Sequence, residues 1–286
     1  MSETYLVTGS AGMLGSAVVE CLRKQEKLAV GVDRPDADLS QPDAVRELIL
    51  SVRPAHVIHC AAYTNVDKAE SEPDLACAGN TAATQNIAHA CVEVNASVLM
   101  VGTDYVFGDA PEQISLRQPI PVSAPTAPQG VYARTKLAAE QALAATLPRH
   151  QIVRTAWLFG PRGRHFVGII LDRLQKGLPL RVVNDQVGSP TYTLDLAERL
   201  VALSESDQTG IFHLTNSGYC SWHAFACTIA ELSGFDPCAI ESIPSSAWPS
   251  PVTRPAWSVL DCERAWGAGA QPMRSWREAL VEYLNK

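Results

Sequence analysis

The run Gly9-Ser-Ala-Gly12-Met-Leu-Gly15 constrains this chain more than any other stretch. It follows the apolar Tyr5-Leu-Val-Thr8 and precedes a helical pattern over 16–25. A buried strand that turns on closely spaced glycines into a helix has one well-known use. The glycines let the backbone approach a ligand, and the first helical amides face an anion such as a pyrophosphate. The spacing is Gly-x-x-Gly-x-x-Gly rather than Gly-x-Gly-x-x-Gly. Gly9, Gly12 and Gly15, with Ala11, Met13 and Leu14 between them, are the first candidate cofactor-binding residues. The next apolar run, 28–32, ends on Asp33, about 20 residues beyond the turn, where an acid can accept hydrogen bonds from a ribose. A carboxylate there repels a 2′-phosphate and favours NADH, while the adjacent Arg34 keeps NADPH open.

The rest of the first half repeats the alternation. Ser40 reads as the cap of a helix running to about 52, with Pro42 in its first turn. His56–Ala62 reads as a third strand, 70–94 as one long helix rich in small residues, and 97–102 as a fourth strand. A strand over 151–155 follows a further helix. Strands alternating with helices predict an α/β fold with a doubly wound parallel sheet, the Rossmann type. Ligands in such sheets sit beyond the carboxyl ends of the strands. That position puts Ala61, Ala62, Tyr63 and Thr64 at the cofactor's edge and Thr103 and Asp104 beside it. The proline-rich 105–129 is too long for an idle connection and reads as an active-site flap. The sequence divides into a dinucleotide-binding domain over 1–155 and a smaller C-terminal substrate-binding α/β lobe over 156–286. Segments near 180–215 are expected to return to the first domain.

Tyr132 and Lys136 lie four residues apart at the start of the helix that continues through 137–143. That spacing puts both side chains on one face. Free tyrosine, with a pKa near ~10, is a poor acid at neutral pH, and a neighbouring ammonium brings it into a useful range. Such a pair can give a proton to a carbonyl oxygen while hydride reaches the carbon. A hydroxyl at Thr103 can hold the same oxygen.

Composition excludes other classes. A formal charge of −7 argues against a nucleic-acid footprint. No apolar run reaches the ~20 residues that span a bilayer. The N-terminus lacks a signal-peptide pattern, so a cytoplasmic location is expected. The 8 cysteines include no Cys-x-x-Cys pair and read as free thiols.

Several longer runs carry a resemblance. They are Ala61-Ala-Tyr-Thr-Asn-Val-Asp-Lys-Ala-Glu70, Thr103-Asp-Tyr-Val-Phe107, Val131-Tyr-Ala-Arg-Thr-Lys136, Arg154-Thr-Ala-Trp157, Asn184-Asp-Gln-Val-Gly-Ser-Pro-Thr191 and Arg254-Pro-Ala-Trp-Ser-Val-Leu-Asp261. With the glycine turn, they resemble the extended short-chain dehydrogenase/reductase superfamily and, within it, the dTDP-4-dehydrorhamnose reductase family. The resemblance spans nearly the whole chain. It implies reduction of the C4 ketone of dTDP-4-dehydro-L-rhamnose, or of a related nucleotide 4-ketosugar, by NADPH or NADH. It makes Tyr132 the proton donor, Lys136 its activator and a ribose ligand, and Thr103 the third catalytic group. Asp38 and Leu39 join the cofactor contacts. Thr103, Asp104, Trp157, Gln186 and Arg254 become substrate contacts, with Arg254 suited to a pyrophosphate. The chain departs from the family at His59-Cys60, Arg164-His165 and Trp257. Some members bind magnesium at a dimer interface through a glutamate where this chain has Ser16. No metal is therefore expected, and the oligomeric state, a homodimer included, stays open.

Two other functions compete. A sugar-nucleotide dehydratase or epimerase of the same superfamily needs an acid and a base beside the threonine. Here Asp104 is followed by Tyr105 rather than glutamate. A non-catalytic NADP-binding regulatory subunit has no chemical need for Thr103, Tyr132 and Lys136 together.

Overall fold

A computed structural model of the chain describes residues 3–109, 116–267 and 271–286. The glycine turn sits where the sequence places it, between β1 (Thr4–Thr8) and α1 (Met13–Lys24). The alternation continues through β2 (Leu28–Val32), α2 (Pro42–Val52) and β3 (His56–His59). A short α3 (Val66–Ala69) precedes α4 (Pro73–Cys77) and α5 (Ala83–Val94), which lead to β4 (Ser97–Thr103). Then come α6 (Gly130–Thr146) and β5 (His150–Thr155).

The second half opens with β6 (Leu158–Phe159), α7 (Phe166–Gln175), β7 (Leu180–Val183), β8 (Val187–Gly188) and β9 (Thr191–Tyr192). It continues through α8 (Thr193–Ser204), β10 (Gly210–His213), β11 (Cys220–Ser221) and α9 (Trp222–Leu232). It closes with β12 (Ile240–Ile243), α10 (Glu263–Gly267) and α11 (Trp276–Leu284).

One six-stranded parallel sheet runs β2-β1-β3-β4-β5-β10. The chain moves from β1 to β2 on one side, then reverses to β3 on the other. The switch point therefore lies between the carboxyl ends of β1 and β3, the standard ligand crevice of an open α/β sheet. Both faces of the sheet are covered, which explains why its strands read as continuous apolar runs. Tyr5 and Val7 point into a core with Val18, Leu22, Leu196 and Leu200 from α1 and α8. Leu6 points the other way, towards Ile49, Ile87 and Leu143 of α2, α5 and α6.

Outside that sheet, β7 pairs with β12, β8 with β11 and β6 with β9. Their aromatic core joins Phe159, Tyr192 and Phe225 to α7, α9 and α11. A smaller cluster, Val106, Phe107, Ile120, Trp257, Val259 and Leu260, fills the corner between these cores.

Four details differ from expectation. The Ser40 hydroxyl does not cap α2 but donates to Asp38, and Gln41 takes the cap position without a side-chain bond. The helix expected over 70–94 breaks before Pro73, since proline cannot continue a helix begun on its N-terminal side. It then widens into a π turn at Ala78–Ala82. The third strand stops at His59. The run near 180 does not return to the main sheet, because β7 takes β12 as its parallel partner; α8 and β10 are the segments that pack on it. Residues 110–115 of the expected flap lie outside the described residues.

Gly15 is buried at the start of α1, and a β-carbon there would run into the Gly9 carbonyl. Gly15→Ala is expected to cost about 1–3 kcal/mol, as overpacking does, and to lower Tm. Thermal unfolding measures this; an unchanged Tm would show that the turn tolerates a side chain.

Candidate active site

The glycine turn is shaped by backbone contact. Gly9 has φ of +66°, and a β-carbon on it would come within 2.7 Å of the Ala61 amide nitrogen. The turn after β1 thus abuts the end of β3, bringing Gly9 against Cys60 and Ala61. Gly12 caps α1 without a side-chain bond, and the first turn holds no acid. The leading amides, from Met13 and Leu14 on, suit an external anion. Both Asp33 oxygens meet backbone amides: Ala11 donates to one at 2.8 Å and Arg34 to the other at 3.1 Å. Asp33 therefore ties β2 to the turn besides standing where a ribose would lie. Asp38 accepts from Ser40, and the Leu39 carbonyl accepts from Asn86. Tyr63 is held by Asn80 in the π turn, which accepts from the Tyr63 amide at 2.8 Å and donates to Thr135 of α6. Thr64 is exposed beside it.

Thr103, Asp104 and Tyr132 meet at the carboxyl end of β4. The Thr103 hydroxyl donates to Asp104 at 3.1 Å and accepts the Tyr105 amide at 3.2 Å, capping a turn of 3-10 helix. It also faces the Tyr132 phenol. Burial pushes that phenol up to about 12; the Thr103 hydroxyl opposes the rise and the Asp104 charge adds to it. Asp104 is itself buried, which lifts its carboxyl to about 6; Thr103 donates to one of its oxygens, and Ser258 lies close by. Tyr105 packs edge-on against Tyr132, with ring centroids 5.8 Å apart. Burial and then Asp104 raise its phenol further still.

Lys136 departs from expectation in one respect. Its hydrogen bond goes to the backbone rather than to the Tyr132 oxygen. The side chain runs towards β4 and donates to the Val101 carbonyl at 2.7 Å, and burial draws it down to about 8. An ammonium has three donors, so two remain for a ribose.

The other substrate candidates form a rim. Trp157 has φ of +49° and stacks flat on Trp222, centroids 3.5 Å apart and planes 7° apart. Gly188 makes this possible, since a β-carbon there would meet the indole at 2.6 Å. Gln186 donates to Ser245, and Arg254 pairs with Asp67 of α3 at 3.0 Å. Gln186 and Arg254 share a hollow of about 330 Å³ with Asp185 and Trp248. A larger hollow of about 910 Å³ lies between α1, α8 and α11, and none of the candidate residues lines it. The hollow at Arg254 reaches towards the start of α6, because Val252, which lines it, sits against Gly130.

Sequence reasoning missed Asn80, Trp222 and the buried network of His59 with Thr8 and Thr84. Nothing in the spacing of a small-residue helix marks Asn80. Ser258 was legible, since it lies within the Arg254–Asp261 run.

A parallel doubly wound sheet, a glycine turn at its switch point and a Thr–Tyr–Lys set at the end of the fourth strand define a chain of the extended short-chain dehydrogenase/reductase type. Comparison with known proteins narrows this. A family model described as the RmlD substrate binding domain matches residues 3–286, and the chain belongs to that family. A dTDP-4-dehydrorhamnose reductase of Streptomyces griseus is 41% identical over 284 residues, covering 97% of this chain and 92% of the relative. A probable dTDP-4,6-dihydroxy-2-methyloxan-3-one 4-ketoreductase of Streptomyces antibioticus is 39% identical, covering 97% and 93%. The crystal structure of a Bacillus anthracis dTDP-4-dehydrorhamnose reductase in complex with NADP matches with a TM-score of 0.93 and 32% identity, covering 100% of this chain and 99% of that one. A UDP-glucose 4-epimerase from Thermus thermophilus, at 24% identity and a TM-score of 0.86, shares the fold.

The stacked indoles give a direct reading of the rim. Trp222→Phe is expected to abolish the exciton couplet of the Trp157–Trp222 pair in circular dichroism and to cost roughly 0.5–1.5 kcal/mol of stacking. A couplet that survives would place Trp157 elsewhere.

Proposed function

We propose that this chain reduces the C4 ketone of dTDP-4-dehydro-L-rhamnose, or of a closely related nucleotide 4-ketosugar, at the expense of NADPH or NADH. The observation that carries the reading is the meeting of Thr103, Tyr132 and a single carboxyl, Asp104, at the end of β4, beside the glycine cradle.

The residues at the switch point fit a dinucleotide. The close approach of Gly9 to Ala61 and the uncapped start of α1 leave backbone amides for a pyrophosphate. When bound, the nicotinamide supplies the hydride. The chain supplies the rest. Thr103 and Tyr132 would hold the ketone oxygen, and Tyr132, whose raised phenol keeps its proton at neutral pH, would donate it as charge develops there. The phenolate left behind gains from Lys136, whose remaining donors can bridge it to a ribose. Arg254 and Gln186 would hold the nucleotide end, and Trp157 the sugar. No helix among the described residues is long and apolar enough to cross a membrane.

The same corner argues against the dehydratase reading. Loss of water across C5 and C6 needs both a base and an acid. Asp104 can fill one role, and Tyr105, raised by burial, keeps its proton at neutral pH and has no free base to offer for the other.

Tyr132→Phe is expected to lower turnover by ~10²–10⁴-fold with little change in cofactor affinity, the deficit typical of a lost general acid. Steady-state kinetics with dTDP-4-keto-rhamnose, followed by loss of NADPH or NADH absorbance, measures it; near-normal turnover would remove Tyr132 from its role. Incubation of the protein with dTDP-glucose and NAD is expected to give no 4-keto-6-deoxy product. Its appearance at a catalytic rate would promote the dehydratase.

A further inference from the structure

Under Lys136 lies an ion pair that the proposed chemistry has not used. Glu140, one helical turn beyond Lys136, accepts from Arg154 of β5 through both carboxylate oxygens, at 3.1 Å from Nε and 2.7 Å from Nη2. Each side chain is 3% exposed. Burying two charges is costly, and an apolar pair of similar volume is often as stable. Stability alone therefore does not account for them.

Their placement does. Glu140 is wedged against β4, where a β-carbon at Gly102 would come within 2.9 Å of its Oε1. Arg154 is fixed in turn by the face of Phe107, 4.9 Å from its guanidinium carbon. The carboxylate's hydrogen bonds thus go to Arg154, while the Lys136 ammonium donates to Val101.

Resting on the reductase reading, we propose that Glu140 and Arg154 form a positioning device for Lys136. Glu140 supplies the negative charge that keeps the buried ammonium protonated, and Arg154 holds that charge too firmly to capture the ammonium in an ion pair. Lys136 so remains charged and yet free to turn to a ribose and to the phenolate. Other groups around it do not substitute. Burial draws the ammonium down, and Glu140 is the foremost influence raising it, ahead of Cys60 of the β3 end. That thiol is pushed up to about 12 and stays neutral. His59 is held down to about 3 by burial and by Lys136 itself, so it is neutral too. Tyr132, one turn before, keeps its proton.

The test uses NADPH binding across neutral and alkaline pH, read by cofactor fluorescence, and so needs no ketosugar. In the unaltered protein affinity is expected to fall as Lys136 loses its proton, near pH 8. Glu140→Gln keeps the shape and removes the charge. The midpoint of that fall should move down by about one pH unit, as expected on removing an opposite charge at close range. Glu140→Leu combined with Arg154→Met restores an apolar, well-packed pair. It should recover the Tm that Glu140→Gln loses and still show the lowered midpoint. A double variant with normal Tm and an unshifted midpoint would overturn the proposal and leave the pair purely structural. NADPH binding at no pH would overturn the reductase reading, and this inference with it.

Discussion

The contact of Gly9 with Ala61 is the constraint on which the rest of the site depends. Two backbones approach there more closely than any side chain permits. This closes the switch point between β1 and β3 and aims the start of α1 across the crevice. It also fixes where the segment after β3 must go. Tyr63 is turned onto Asn80, and Asn80 reaches Thr135 on the helix that carries Tyr132 and Lys136. Asn80, with Thr81 beside it, thus links the segment after the cofactor turn to the helix that would do chemistry.

Burial sets the electrostatics of the corner. Water is largely excluded from Asp104 and Lys136, Tyr132 is partly buried beside them, and each is displaced toward its neutral form. A proton donor that keeps its proton and a lysine near the edge of losing its own are the two states that a ketone reduction draws on. The same desolvation that tunes these groups makes the buried Glu140 charge felt at Lys136, because little solvent screens it.

The stretch after β12 reaches the corner through specific contacts. Arg254 pairs with Asp67, Val252 lies against Gly130, and the Ala256 amide donates to Asp109 at 2.6 Å. All three fall in the irregular stretch after β12. Between β12 and the backbone bond of Ala256 to Val187 the stretch belongs to no strand, so it can follow the surface beside α3 and α6 and bring the Arg254 guanidinium to Asp67.

By itself the sequence determined the alternation of strands and helices, and with it the parallel sheet, the glycine turn and the helix that carries Tyr132 in its first turn. These follow from local rules: apolar runs, glycine freedom, helix propensity and a four-residue repeat. It also marked Thr103 and Asp104, because a strand end in a parallel sheet is a ligand edge. Tertiary structure decided what no local rule reaches. The pairing of β7 with β12 joins runs about sixty residues apart, and Ile240–Ile243 is too short to announce itself. The direction of Lys136 was set by the carbonyl of Val101 on another strand, not by its spacing from Tyr132. Trp222, Asn80 and Glu140 gained their places from neighbours distant in the chain, because burial and packing depend on the whole enclosure and periodicity reports only on the segment that carries it.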